Sequence, residues 1–200
     1  MKIGLTGGMG SGKSTVAALF EACGAMRFDA DAVSRELTGV GGAAVPLIVR
    51  AFGAAVVAAD GALDRAAMRA IVFQDAAQRQ RLEAILHPLI AQQREALVKE
   101  AGTRSIVFDI PLLAESPAWR TRVDRVVVVD CLESTQVSRV MARSGLAADE
   151  VQRIMASQAT RVRRRAVADA VIFNEGLSLT ELQRHVRELW AHWQRCETIP

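Results

Sequence analysis

The chain has 200 residues, of which 25 are basic and 22 acidic, and a formal net charge of +3. This length suits one domain with inserted segments, and the near balance of charge does not favour nucleic-acid binding. Half of the residues are hydrophobic, but no apolar run approaches the ~18 residues of a membrane span and no apolar leader opens the sequence. The three cysteines are scattered and lack the spacing of a metal site, which is typical of a reducing compartment. We therefore expect a cytoplasmic protein that binds neither membrane nor nucleic acid.

The first predicted strand, Lys2–Leu5, runs into a glycine-rich segment that fits the pattern G-x-x-x-x-G-K-[ST] from Gly7 to Ser14. Apolar residues at helical spacing follow, so the loop joins a strand to a helix whose N-terminus favours an anion. Lys13 supplies a cation for the terminal phosphates, and the Ser14 hydroxyl is placed to bind Mg²⁺. The predicted ATP contacts of this loop are Gly8, Gly10, Ser11, Gly12, Lys13, Ser14 and Thr15.

Two aspartates follow the second predicted strand, Met26–Phe28, at the edge where open α/β sheets bind ligands. Asp29 and Asp31 are two residues apart, so we expect one of them to face the site and the other to cap the next helix or turn. We favour Asp31 as the group that accepts a hydrogen bond from a substrate hydroxyl. The alternative is that both aspartates are caps or turn residues.

The segment 32–102 is too long for an ordinary connection between two strands. The helical stripe Leu82–Leu89 and several glycine breaks predict a mostly helical insertion, which we assign to substrate binding. His87 lies within that stripe just before Pro88, where a histidine is more often a helix-end or core residue than an acid/base catalyst.

The third and fourth predicted strands, Ser105–Phe108 and Arg125–Val129, each lead into an aspartate. Asp109 follows the third strand as a Walker B acid would, and we predict that it holds Mg²⁺ through water; a plain strand-terminating acid is the alternative. Asp130 follows the fourth strand, but it belongs to a group of acidic residues of the kind found on a solvated surface.

Arginines cluster after the fourth strand. Arg139 and Arg143 are four residues apart and share one face of a predicted helix. Arg161–Arg165 follow a second short helical stretch. We predict that these cations belong to a lid that stabilises the transferred phosphoryl group, the alternative for any single arginine being a solvated basic face.

The last predicted strand, Ala170–Phe173, precedes an amphipathic closing helix anchored by Trp190 and Trp193. Strands that are apolar on both faces and alternate with helices predict an α/β fold with a five-stranded parallel sheet. The expected parts are a nucleotide-binding core at 1–31, 103–138 and 166–200, a helical substrate-binding insertion at 32–102, and a small helical lid at 139–165.

Taken in this order, the motifs resemble those of the dephospho-CoA kinase family, a family of P-loop kinases. The resemblance rests on Leu5–Thr15, Asp29–Asp31, Leu86–Ile90, Pro111–Glu115, Gln158–Arg161 and Ala168–Gly176. It implies ATP-dependent phosphorylation of the ribose 3′-hydroxyl of dephospho-CoA, with ATP and Mg²⁺ required, as the last step of coenzyme A synthesis. We expect a monomer or a weak homo-oligomer.

The same resemblance implies roles for single residues. Asp31 matches the family's proposed catalytic base, and Asn174 and Gly176 match a turn near the adenine. The predicted substrate contacts are Asp31, Arg65, His87, Pro111, Leu112 and Arg161. The predicted catalytic groups are Asp31, Lys13, Arg139 and Arg143, and the predicted metal ligands are Ser14 and Asp109.

Two alternatives stay open at this point. Another P-loop kinase, acting on a nucleoside monophosphate or on shikimate, is the nearer one, although a shikimate kinase usually carries a Gly-Gly-Gly run and a smaller insertion. A nucleotide-dependent switch is the other, but Asn174 is the only asparagine and precedes Glu175, so the guanine-reading motif Asn-Lys-x-Asp is absent. An ATPase would release ADP without any acceptor.

Overall fold

The computed structural model describes residues 1–197, in which helical segments separate five strands. The strands are β1 (Lys2–Gly7), β2 (Met26–Asp29), β3 (Ile106–Asp109), β4 (Arg125–Asp130) and β5 (Ala170–Phe173). The helices are α1 (Lys13–Ala22), α2 (Ala30–Leu37), α3 (Val45–Phe52), α4 (Arg65–Gln74), α5 (Ala76–Ala101), α6 (Pro117–Arg120), α7 (Glu133–Ser144), α8 (Ala148–Ala156), α9 (Arg161–Ala166) and α10 (Leu179–Glu197).

The strands form one parallel sheet in the order β2-β3-β1-β4-β5. This confirms the predicted α/β fold and its five-stranded sheet. β1 lies at the centre, where Ile3 is paired with Val107 of β3 and Gly4 with Val126 of β4. Because the strands are parallel, the segments that follow β1, β3 and β4 leave the sheet at one edge, where open α/β sheets bind their ligands.

A hydrophobic core packs α1 and α10 against the central strands. Phe20 of α1 is fully buried, and its ring lies 6.1 Å from that of Trp190 in an edge-to-face arrangement. Trp193 is buried in the same core, which confirms both tryptophans as core residues. Burial raises the pKa of the Cys131 thiol, just after β4, so this cysteine is an inert core residue.

The chain divides into two compact units. One combines Met1–Phe28 with the described residues from Thr103 onward, and the other is Asp29–Gly102. The assignment of core, insertion and lid to separate tasks stays a prediction, and residues 198–200 of the predicted core lie outside the described residues. None of the helices at residues 1–197 is long and apolar enough to cross a membrane.

The second unit consists mainly of α2, α3, α4 and α5, which surround a small apolar core of their own. α5 is 26 residues long and continues through Pro88, although a proline inside a helix removes one backbone hydrogen bond. Leucines and isoleucines on both sides of Pro88 pack against the core, and this packing holds the helix together. His87 is exposed in the middle of α5, so it is neither a helix-end nor a core residue, and its predicted contact with substrate stays a prediction.

Candidate active site

The loop between β1 and α1 has the shape of a phosphate cradle. Gly12 has a φ of 95° and Gly10 a φ of 76°, left-handed conformations that residues with a side chain rarely adopt. At Gly8, an added Cβ would lie 2.6 Å from Arg164 Nη2 and would overlap the side-chain oxygen of Gln136. The loop glycines, which carry no side chains, therefore lie next to the free backbone N–H groups at the start of α1. This arrangement is typical of phosphate-binding sites.

Lys13, the first residue of α1, forms an ion pair with Asp109 at the end of β3. Asp109 is only 2% exposed, and its other carboxylate oxygen accepts a hydrogen bond from Arg27 Nη2 at 2.7 Å. The predicted Walker B acid thus fixes the lysine of the loop. Ser14 and Thr15 follow in the first turn of α1, and both are exposed.

Two predicted ATP-binding residues support the loop from the side of β4 and β5. The carbonyl oxygen of Ser11 accepts from Asn174 Nδ2 at 2.8 Å and from Arg139 Nη1 at 3.4 Å. Arg139 also donates through Nη2 to the Asn174 carbonyl at 3.1 Å. Arg143, one turn further along α7, is exposed and has no hydrogen bond or ion pair with any described residue. The structure therefore brings Arg139 to the loop and leaves Arg143 in solvent.

The turn Asn174–Gly176, predicted to lie near the adenine, is tied to the start of α7. Glu175 accepts hydrogen bonds from Thr135 Oγ1 at 2.6 Å and from the Leu132 N–H at 2.9 Å. These bonds, the one from Thr135 above all, hold the pKa of Glu175 below its ordinary value. Gly176 completes the turn with a φ of 66°.

The segment that leads into α9 contacts the P-loop directly. The Met9 N–H donates to Gln158 Oε1 at 3.2 Å, and the Ala159 N–H donates to Glu115 Oε1 at 2.6 Å. The Ala159 carbonyl in turn accepts from Arg164, which is 6% exposed. One arginine of the predicted lid is therefore buried against the first glycines of the loop.

Arg161 makes a different contact. Its Nε donates to both carboxylate oxygens of Asp130, at 2.8 and 2.9 Å, and this hydrogen bond raises the pKa of the guanidinium. The Arg161 guanidinium also lies 5.4 Å from the centre of the Phe173 ring. Asp130 is 2% exposed, so the prediction that it belongs to a solvated acidic surface was wrong. It is the ion-pair partner of Arg161.

The predicted substrate contacts after β3 lie in the turn that leaves the strand. The Pro111 carbonyl accepts from Thr6 Oγ1 at 3.0 Å, which ties this turn to β1. Leu112 is 55% exposed and faces solvent. The structure therefore places Pro111 and Leu112 in the same unit as the P-loop and gives Leu112 a free apolar surface.

A cavity of about 830 Å³ lies among α7, α8 and α9. Met141 and Met155 form part of its apolar wall, and Gln136, Arg161 and Arg164 form part of its polar wall. Gln136 is 1% exposed and donates through Nε2 to the Cys131 carbonyl at 3.3 Å, while its Oε1 has no partner among the described residues. The cavity has the size and the mixed lining of a small-molecule site.

The remaining predicted substrate contacts belong to the second unit. Asp29 caps α2 by accepting from the Ala32 N–H at 2.9 Å, as one of the two aspartates was predicted to do. Asp31, in the first turn of α2, is exposed and has no hydrogen bond or ion pair with any residue that the structure describes. Arg65, the first residue of α4, donates to Thr38 Oγ1 at 3.4 Å. No described hydrogen bond or ion pair joins Asp31, Arg65 and His87 to one another.

Comparison with known proteins decides the family. The family model CoaE, dephospho-CoA kinase, matches residues 1–180. The chain belongs to the dephospho-CoA kinase family. It is 51% identical over 194 residues to the dephospho-CoA kinase of Burkholderia pseudomallei. The matched region covers 97% of this chain and 96% of that protein. As a dephospho-CoA kinase family member, it is a nucleotide-binding transferase of coenzyme A biosynthesis.

Solved structures share the fold of this dephospho-CoA kinase family member. TT1252 from Thermus thermophilus matches it with a TM-score of 0.82 and 34% identity, over 96% of this chain and 97% of that one. The dephospho-CoA kinase from Campylobacter jejuni matches with a TM-score of 0.71 and 20% identity, over 99% of this chain and 100% of that one. Shikimate kinase from Acinetobacter baumannii matches at a TM-score of 0.54 and 16% identity over 96% and 93% of the two chains, which shows a common fold alone.

Sequence reasoning missed the contacts of Arg27 and Asp130, and it predicted Arg164 only as one of several lid cations. Arg27 belongs to no motif, although a charged residue inside a short apolar strand is a signal that it has a buried partner. Asp130 was assigned to a solvated surface. Arg164 was one of several adjacent arginines, and spacing alone did not distinguish it from its neighbours.

Proposed function

We propose that this chain transfers the γ-phosphoryl group of ATP to the ribose 3′-hydroxyl of dephospho-CoA, giving coenzyme A and ADP. Membership of the dephospho-CoA kinase family supports the activity. The observation that carries ATP binding is the loop at Gly8–Lys13. Its glycines have no room for a Cβ, and the loop ends at the N-terminus of α1, where backbone N–H groups favour phosphate.

In this reaction the acceptor oxygen bonds to the γ-phosphorus while the bond from that phosphorus to the bridging oxygen of ADP breaks. Asp31 accepts the hydrogen bond of the ribose hydroxyl and takes its proton as the new bond forms. A ribose hydroxyl is barely ionised near neutral pH, so orienting it is the first task of the carboxylate. The exposed, unengaged side chain of Asp31 supports this role, because Asp29 is occupied as a helix cap.

The ATP contacts come from the loop residues together with Arg139, Asn174 and Gly176. Lys13 and Arg139 stabilise the negative charge of the transferred phosphoryl, and Arg143 is a further candidate for this role. The contact of Arg139 with Ser11 supports its placement beside the phosphates. Dephospho-CoA is held by Asp31 with Arg65, His87, Pro111, Leu112 and Arg161.

Mg²⁺ would be held by the Ser14 hydroxyl and, through water, by Asp109. Both are hard oxygen donors of the kind that Mg²⁺ prefers, so the residues present fit the ion. Both oxygens of Asp109 already accept from Lys13 and Arg27, which favours a contact through water over direct ligation. When bound together with ATP, the ion neutralises charge on the phosphates.

The test is ADP release from ATP and Mg²⁺ with dephospho-CoA, AMP, shikimate or no acceptor, combined with mass analysis of the product. We expect turnover with dephospho-CoA and a product that is heavier by one phosphate. Turnover with AMP or shikimate alone would contradict the proposed acceptor and leave the kinase fold intact. ADP release at equal rates with and without dephospho-CoA would point to an ATPase.

A further inference from the structure

Arg164 is a buried cation without a counter-charge. It is 6% exposed, and its Nη1 donates to the Ala159 carbonyl. Among the side chains that the structure describes, no carboxylate lies within ion-pair distance of its guanidinium. Guanidinium groups stay charged in proteins, and a buried charge that lacks a partner is strongly unfavourable. The buried guanidinium therefore favours the binding of an anion at this place.

The position of the guanidinium indicates which anion. A Cβ added to Gly8 would lie 2.6 Å from Arg164 Nη2 and 3.1 Å from its Cζ, so the guanidinium lies directly against the P-loop backbone. Arg164 also lines the cavity of about 830 Å³ among α7, α8 and α9, which gives a ligand access to it. The uncompensated positive charge of Arg164 therefore lies beside the phosphate cradle and faces a cavity that a ligand can enter.

The other lid arginines have partners or face solvent. Arg161 is neutralised by Asp130 at 2.8 Å, and Arg165 Nη1 lies 3.9 Å from the same carboxylate. Arg153 pairs with Asp149 at 3.1 Å, and its side chain is 74% exposed. Arg164 alone, among the arginines of described α8 and α9, is both buried and without a carboxylate partner.

We propose that Arg164 is a catalytic residue that contacts the phosphoryl group transferred from ATP. This inference rests on the proposed kinase reaction and assigns one residue within it. Arg164 makes and breaks no covalent bond; its guanidinium neutralises charge on the phosphoryl oxygens while the phosphorus passes from ADP to the acceptor oxygen. Its bidentate geometry matches two phosphoryl oxygens.

The test compares R164M with the wild type and with R153M, which removes a solvent-facing lid cation. We expect kcat of R164M to fall by about 100- to 1000-fold, as for other arginines that stabilise phosphoryl transfer, and the KM for ATP to rise because a contact with the bound phosphates is lost. R153M should keep kcat within about twofold, since an exposed ion pair contributes little. A kcat of R164M within twofold of wild type would overturn the proposal.

Thermal unfolding separates a catalytic from a structural role. The ligand-free R164M protein should melt at the same temperature as wild type or higher, because an unpaired buried charge has been removed. Sodium pyrophosphate should raise the Tm of wild type and of R153M more than that of R164M. Equal gains in Tm for all three proteins would overturn the proposal. If R164M does not fold, R164K takes its place, and a kcat near wild type in R164K would overturn it equally.

The two proposals fail separately. If wild type does not phosphorylate dephospho-CoA but its gain in Tm with pyrophosphate depends on Arg164, the reaction is wrong and the anion site stands. If wild type and R164M both phosphorylate dephospho-CoA at similar rates, the reaction stands and the role of Arg164 is wrong.

Discussion

Lys13 of the P-loop is held by Asp109, a residue 96 positions further along the chain. The same carboxylate accepts from Arg27 at 2.7 Å, so one buried negative charge serves two cations. Lys13 and Arg27 keep side-chain exposures of 17% and 21%, while Asp109 is 2% exposed. The ion pair that positions the lysine of the P-loop therefore also includes Arg27, a residue outside the loop.

We expect D109N to lower the free energy of unfolding by about 3 kcal/mol, because it leaves two positive charges without their partner. The loss should lie at the low end for buried pairs, since both cations retain some contact with water. Urea unfolding of D109N, R27M and the double variant measures the coupling between the two residues. Strict additivity of the two single losses would show that Arg27 does not act through Asp109.

The magnesium dependence of D109N tests a second role of the same carboxylate. If Asp109 holds Mg²⁺ through water, D109N should require several-fold more Mg²⁺ for half-maximal turnover at saturating ATP. R27M, which keeps the carboxylate, is the control and should show the wild-type magnesium dependence. If D109N needs the same Mg²⁺ concentration as wild type for half-maximal turnover, Asp109 does not hold the ion and its role is to position Lys13.

Replacing Asp31 by asparagine should reduce kcat strongly, by about 100-fold or more, because the acceptor hydroxyl loses its orienting carboxylate. The KM for ATP should stay nearly constant, since the phosphate cradle is untouched. D29N is a matched control that removes a charge two residues away, and asparagine caps a helix about as well as aspartate. Steady-state kinetics with dephospho-CoA measure both. Near-normal turnover in D31N, or equal losses in the two variants, would rule out the assigned role of Asp31.

The elements that could be predicted from the sequence are those in which local pattern and burial agree. Val126–Val129 is apolar on both faces because β4 is covered on both sides, and the run therefore reads as a strand. The P-loop could be predicted because its glycines, its lysine and the helix that follows are adjacent in the chain. The capping role of one aspartate followed from the spacing of Asp29 and Asp31.

The contacts that could not be predicted join residues far apart in sequence. Arg27 and Asp109 are 82 positions apart, and Asp130 and Arg161 are 31 apart. Acidic and basic residues outside motifs look alike in a sequence, whether they are solvated or paired in the interior. α5 shows a different limit, because Pro88 marks a helix end by local rules and tertiary packing overrides it.

Removing Arg161 should affect stability, because its partner Asp130 is a buried carboxylate. We expect R161M to lower the free energy of unfolding by about 2–4 kcal/mol, because the buried Asp130 carboxylate loses its close partner. Arg165, at 3.9 Å, compensates this charge only in part. The double variant R161M/D130N should be more stable than R161M, because it no longer contains an uncompensated charge. Thermal melts of the three proteins measure the order of stability. A double variant less stable than R161M would contradict this account of the pair.

The stability contributed by Glu175 should depend on pH in a defined direction. Hydrogen bonds from Thr135 and from the Leu132 N–H lower the pKa of Glu175 in the folded protein below its ordinary value of 4.5. A carboxylate with a lowered folded-state pKa stabilises the fold above its unfolded-state pKa, and this contribution is lost as the pH falls through the folded-state value. Wild type should therefore be more stable than E175Q at pH 7, and the difference should shrink as the pH is lowered below 4.5 and disappear once both states carry the proton.

T135V removes the stronger of the two hydrogen bonds to Glu175 and should give the same pH trend with a smaller amplitude. E188Q, which removes a carboxylate at an exposed position of α10, is the control. Urea unfolding between pH 3 and pH 7 measures these differences. An E175Q curve parallel to that of wild type at every pH would show that the hydrogen bonds at the start of α7 do not couple to the protonation of Glu175.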